Sequence, residues 1–228
     1  MSDPNLVAET FGIVYAKMRD DLSSFFWDAF TALNVNGISG DYVEFGSAGG
    51  TSLALAHDVV RRTPFARHLW AFDSFEGLPE PTGDLDVHPA FTPGFGQGGL
   101  DGFLAVCDEN LIPRDAYTAT PGFFEDSLGE DGTVQPTDIA LAYIDCNMYS
   151  STVTVLEFLA PRLKHGMILG FDDYFCWTQS QVSGERAALD EFLADHPEWN
   201  LLRFKDPTWG GASFVVERVD EQRPRRRP

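Results

Sequence analysis

Three aspartates carry the strongest chemical signal in the sequence. Asp145 closes the apolar run IALAYID (139–145), and Asp172 and Asp173 close MILGFDD (167–173). Neighbouring carboxylates repel one another, and three converging on one sheet edge make an oxygen-rich site suited to a hard cation such as Mg²⁺. The Asp172-Asp173 pair taken alone fits a helix cap or a turn equally well. A second set, Glu44-Phe45-Gly46-Ser47-Ala48-Gly49-Gly50-Thr51, follows the apolar stretch DYVEF. Glycines there let a bound nucleotide approach the backbone, and a helix starting after them offers free N–H groups; a tight turn without a ligand is the other reading. The spacing breaks the G-x-G-x-x-G dinucleotide pattern, because position 48 is Ala and position 51 is Thr, which argues against NAD. Asp73 closes HLWAFDS (68–74), where nucleotide-binding units place an acid for ribose hydroxyls, although an aspartate there also forms turns.

The elements that must position these residues alternate along the chain. DYVEFG (41–46), TSLALAHDVVRR (51–62) and HLWAFDS read as strand, helix and strand. The pattern continues with a helix around Phe103–Asn110, strands at Ala116–Thr120 and 139–145, a helix from Ser150 to Lys164 stopped at Gly166, and a strand at 167–173. A helix at 184–195 and a closing hairpin from LLRFK (201–205) and ASFVVERV (212–219) finish it. This predicts an α/β fold: a Rossmann-like, doubly wound, mostly parallel sheet with an antiparallel C-terminal edge. Ligands of such sheets bind outside the carboxyl ends of the strands, where Glu44, Asp73, Asp145, Asp172 and Asp173 all fall.

Residues 1–39 read as an N-terminal helical extension, residues 40–220 as the single catalytic domain, and 221–228 as a disordered basic tail. The Pro- and Gly-rich segment 79–102 is long for an idle connection and reads as a substrate lid. Phe25-Phe26-Trp27 fits helix packing or a contact between copies in a homo-oligomer. His57, His68, His165 and His196 read as surface or packing residues; His88, within the lid, reads as an ordinary loop residue first and as a group in reach of substrate second.

With 16 basic against 35 acidic residues, the net charge of −19 removes the electrostatic basis for binding nucleic acid. The Arg223–Arg227 run is the one basic stretch and fits a solvated tail. No apolar run reaches the roughly 18 residues of a membrane span, and the N-terminus carries no secretion signal, so a cytoplasmic protein is expected. The three cysteines, Cys107, Cys146 and Cys176, form no CxxC pair and are expected as reduced, mostly buried thiols.

Five segments, in order, resemble the macrocin-type sugar O-methyltransferases of antibiotic biosynthesis: GDYVEFGSAGGTS (40–52), WAFDSFEGLPEP (70–81), PGFFEDSL (121–128), the stretch from Ala142 to Tyr174, and ERAALDEFLADHP (185–197). The resemblance implies the class I methyltransferase fold, S-adenosylmethionine and Mg²⁺ as cofactors, and a small-molecule hydroxyl acceptor. It implies that Glu44, Gly46 and Ser52 line the methionine end of the cofactor, Asp73 its ribose and Phe123 its adenine, with Ser74 also among the cofactor-binding residues. Asp145, Asp172 and Asp173 fall on the family's metal-binding acids; Asp145, lying between cofactor and metal, is the candidate proton acceptor, alone or with a loop residue. Where the family carries Gly-Asp after the first of these acids, this chain has Cys146-Asn147. Three rival readings remain: a metal-independent methyltransferase, an S-adenosylmethionine-binding protein without turnover, and an NAD-dependent oxidoreductase on the same topology.

Overall fold

Strands buried on both faces need unbroken apolar runs, and the sequence supplies them in LWAFD, IALAYI and ILGF. The computed structural model describes residues 4–64, 66–129 and 134–219, with side chains from residue 13 onward. A long helix α1 (Pro4–Val35) precedes β1 (Asp41–Phe45), α2 (Thr51–Val60), β2 (Leu69–Asp73), α3 (Leu100–Glu109), β3 (Tyr117–Pro121) and a single turn, α4 (Phe124–Ser127). There follow β4 (Ile139–Ile144), α5 (Tyr149–Leu159), a 3₁₀ turn (Ala160–Arg162), β5 (Ile168–Phe171), α6 (Gly184–Asp195), β6 (Trp199–Arg203) and β7 (Ala212–Arg218).

The strands form one seven-stranded sheet in the order β3-β2-β1-β4-β5-β7-β6. The first five run parallel, and β7 lies antiparallel between β5 and β6. Strand order reverses between β1 and β4, which sets the crevice for a ligand at their carboxyl ends. Side-chain alternation splits the core in two. Tyr42, Leu141 and Tyr143 face α1, α2 and α3 on one side of the sheet, while Val43, Phe45, Ala142 and Ile144 face α5 and α6 on the other.

The C-terminal half of α1 packs into this core. Phe25 and Phe26 are fully buried, and Phe26 meets the Tyr42 and Tyr143 rings edge-on, each at 5.6 Å between centroids. The Phe-Phe-Trp cluster is therefore helix packing at Phe25 and Phe26, with Trp27 left exposed. Most element ends shift by one to three residues from the sequence reading, and the end of α5 shifts furthest. The helix expected to run to Lys164 ends at Leu159 and tightens into the 3₁₀ turn that holds Pro161, which has no N–H to continue an α-helix. Gly166 instead turns the chain into β5 with φ 89°, and its N–H donates to the Val216 carbonyl at 2.8 Å. The basic tail, 221–228, lies outside the described residues.

Candidate active site

Strand register brings the site residues together. Phe45 pairs with Ile144, and Ile144 with Phe171, so the residues one step beyond those strands form a row. Backbone bonds extend the ladder across it: Gly46 N–H donates to Phe72 O, Asp145 N–H to Phe45 O, and Asp172 N–H to Ile144 O, at 2.8, 2.8 and 2.9 Å. Gly46, Asp145 and Asp172 thus stand side by side at the topological switch. Gly46 has φ 91°, and a Cβ built on it would lie 1.9 Å from the Asp145 carbonyl oxygen. Only glycine allows β1 and β4 this approach.

Asp145, Asp172 and Asp173 each offer an oxygen, and these atoms lie within 4.8 Å of one another. Burial, and then the charges of Asp172 and Asp173, push the Asp145 carboxyl well above the usual carboxylate range. Burial and Asp172 raise Asp173 to about 7. Among the described residues no lysine or arginine lines the cavity, so none of them offsets this repulsion there. The donor set, all oxygen and triply acidic, fits a hard divalent cation. Supporting groups hold two of the three acids, Asp172 and Asp173, in place. The buried Tyr143 hydroxyl and Thr208 Oγ1 both donate to Asp172 Oδ1, and Asn147 Nδ2 donates to Asp173 Oδ2.

The glycine loop and Asp73 form one unit. Ala48 N–H donates to Asp73 Oδ2 at 2.8 Å and Phe75 N–H donates to Oδ1, so the acid braces both the loop after β1 and the turn after β2. Gly50, φ 76°, opens α2 without a side-chain cap. The arrangement fits a nucleoside cofactor, because bare backbone and a strand-end acid converge beside the acid triad.

A cavity of about 480 Å³, within the range of small-molecule sites, joins these parts. Gly46, Asp73, Ser74, Phe123, Asp145, Asp172 and Asp173 line it, as does His88. His88 stacks on Phe91 at 4.3 Å between ring centroids, and its Nδ1 accepts from the Ala90 N–H. Glu44 and Ser52 differ from the sequence reading: they stand behind the wall rather than on it. Glu44 is fully buried, accepting from the Tyr42 hydroxyl and, at 2.8 Å, from Ser52 Oγ. Burial raises its carboxyl to about 7. The reason is geometric, since Glu44 falls on the same sheet face as Tyr42 and Tyr143, beneath α1.

The segment expected as a lid has internal order. Leu78 N–H donates to Phe95 O and Gly94 N–H to Leu78 O, and Asp86, buried, accepts from Thr82 and from the Ser150 N–H in the first turn of α5. Its last residues are already helix, since α3 begins at Leu100. Sequence reasoning also missed Glu185, whose partners are backbone N–H groups after β4 and β5. The cysteines are free thiols, with Cys107 and Cys146 buried. No helix among the described residues is long and apolar enough to cross a membrane.

The family described as Macrocin-O-methyltransferase (TylF) matches residues 19–197. Relatives include the 8-demethyl-8-(2,3-dimethoxy-alpha-L-rhamnosyl)-tetracenomycin-C 4'-O-methyltransferase of Streptomyces olivaceus, 33% identical over 148 residues, which cover 61% of this chain and 54% of that protein. Mycinamicin III 3''-O-methyltransferase of Micromonospora griseorubida is 27% identical over 147 residues, 61% of this chain and 57% of that protein. The chain spans a little over half the length of these curated relatives. Among solved structures, the O-methyltransferase NovP superposes with a TM-score of 0.71 at 20% identity, covering 87% of this chain and 80% of its own. The calicheamicin methyltransferase CalS11 does so at 0.67 and 24% identity, covering 86% and 78%. These structures share the fold, a mostly parallel sheet closed by antiparallel edge strands. The family match takes in β1, β2, the acid triad and α6, and the chain belongs to the macrocin O-methyltransferase (TylF) family.

Proposed function

We propose that this chain transfers a methyl group from S-adenosylmethionine to a hydroxyl of a sugar or related natural-product diol, with Mg²⁺ held by Asp145, Asp172 and Asp173. The observation that carries the reading is the acid triad, its oxygens within 4.8 Å of one another, standing one strand from the Gly46 loop. S-adenosylmethionine would supply a methyl carbon activated by its sulfonium, and Mg²⁺ would make a nearby hydroxyl more acidic.

The chain's own residues do the rest. Asp73 and Ser74 would take the ribose, Phe123 the adenine, and the Gly46–Gly50 backbone the methionine end, with Glu44 and Ser52 fixing that loop from behind. Asp145 stands between the glycine loop and the other two acids, where it would hold the hydroxyl's proton as transfer proceeds. Displacement requires the acceptor oxygen in line with the methyl carbon, so an acceptor anchored by two neighbouring hydroxyls gains the most from the site. Tyr15, Met18, Phe91, Phe95 and Trp209 give the cavity an apolar wall on which a deoxysugar or its aglycone can lie. The relatives whose names specify a rhamnosyl tetracenomycin and mycinamicin support a glycosylated acceptor.

The test is transfer of labelled methyl to a panel of glycosides. Vicinal-diol deoxysugars should be methylated, and their mono-deoxy counterparts should lose at least tenfold in kcat/KM. Transfer only to amines, or equal rates for diol and mono-ol, would overturn the reading.

A further inference from the structure

We propose that Glu185 is a positioning residue that sets the spacing of the metal-site acids; the proposal rests on the metal reading above. Glu185 lies in the first turn of α6, fully buried, and each of its carboxyl oxygens accepts a backbone N–H from a different strand end. Oε1 accepts from Cys146, the residue after Asp145, at 3.3 Å, and Oε2 from Asp173 at 2.9 Å. The ladder between β4 and β5 continues only as far as the Asp172 N–H bond to Ile144 O. Beyond it the two strand ends are free to diverge, and Glu185 spans them where the ladder stops.

The chemistry suits a carboxylate and no other buried side chain of this length. Two converging N–H groups need two acceptors, and a glutamine offers one oxygen while pointing its NH₂ at the second donor. Burying a fourth acid beside three others is costly, and the two backbone N–H bonds offset that cost only in part. The neighbouring chain is built around the contact. Gly184 has φ 57°, and a Cβ on it would lie 3.0 Å from the Asn147 carbonyl oxygen, so glycine lets α6 start against the loop after β4. Asn147 in turn donates to Asp173 from its side chain. Glu185, Asn147 and Gly184 thus lock the two acid-bearing loops to one helix end.

The experiment is calorimetric titration of Mg²⁺ into the full chain saturated with S-adenosylhomocysteine, for wild type, Glu185→Gln and Glu185→Ala, with S-adenosylhomocysteine affinity and thermal unfolding measured alongside. The expected result is a loss of about 10- to 100-fold in Mg²⁺ affinity for Glu185→Gln, as for other groups that orient metal ligands, with nucleoside affinity within about twofold of wild type. Glu185→Gln stays nearly isosteric, so it carries the test even where Glu185→Ala does not fold. Wild-type Mg²⁺ affinity in folded Glu185→Gln overturns this proposal alone. A wild-type chain that takes up no Mg²⁺ overturns the metal reading, and this proposal with it.

Discussion

Replacing Asp145 with Asn is expected to lower kcat by about 10³-fold or more while making the ligand-free protein more stable at neutral pH. Asn keeps the shape of the side chain but removes a charge from the proposed metal site and the proposed proton acceptor, and loss of a general base alone typically costs 10²–10⁴-fold. The stability gain follows from the position of the group. Burial and the neighbouring acids raise its pKa in the folded chain well above the unfolded value of 3.8, so the folded state is penalised as pH rises through and beyond that value. Asn removes the penalty. The Tm of Asp145→Asn should therefore exceed that of wild type at pH 7 to 8 in EDTA, and the difference should vanish near pH 3, where both carry a neutral side chain. Nucleoside binding should survive, because its proposed contacts come from β1, β2 and the turn at Phe123. Thermal unfolding across pH, beside single-turnover methyl transfer, checks both halves. A variant that is inactive but no more stable than wild type would mean that the three acids do not repel one another as described.

The second large effect is expected at Gly46. An alanine Cβ there would lie 1.9 Å from the Asp145 carbonyl oxygen and 2.7 Å from its carbon, and φ is 91°. Neither neighbour is a flexible side chain, so β1 and β4 must part. We expect Gly46→Ala to destabilise the fold by about 3 kcal/mol or more, from backbone strain plus the displaced contact. Turnover should fall beyond what unfolding explains, because the displaced atoms belong to Asp145. Gly49→Ala is the matched control: nothing lies within 4 Å of its added Cβ and its φ is not positive, so it should stay within about 0.5 kcal/mol of wild type. Urea unfolding with both variants separates a clash from a general intolerance of the loop. Equal midpoints for Gly46→Ala and Gly49→Ala would contradict the geometry.

The parts of the fold legible in the sequence were those with one dominant physical cause. Parallel strands covered on both faces must be apolar throughout, so IALAYI and ILGF announced themselves, and an acid closing each run marked the ligand end. That logic located Asp73, Asp145, Asp172 and Asp173 on the cavity. It failed for Glu44, because the alternation that buries Tyr42 and Tyr143 beneath α1 carries Glu44 to the same side, behind the cavity wall. Residues recognised only through distant backbone were invisible. Glu185 acts on N–H groups 12 and 39 positions away, and Asp86 on one 64 positions away. Tyr143 read as an ordinary strand residue, yet its hydroxyl orients Asp172. The four residues of α4 were too few for helical periodicity to register.

The proposed metal site is tested most directly by crystals grown with S-adenosylhomocysteine and Mn²⁺, which replaces Mg²⁺ at oxygen sites and scatters anomalously. The account predicts one anomalous peak at the ends of β4 and β5, with carboxylate oxygens of Asp145, Asp172 and Asp173 at about 2.0–2.6 Å from it. A structure with S-adenosylhomocysteine bound, Mn²⁺ saturating, and no peak within that distance of these three residues would contradict it.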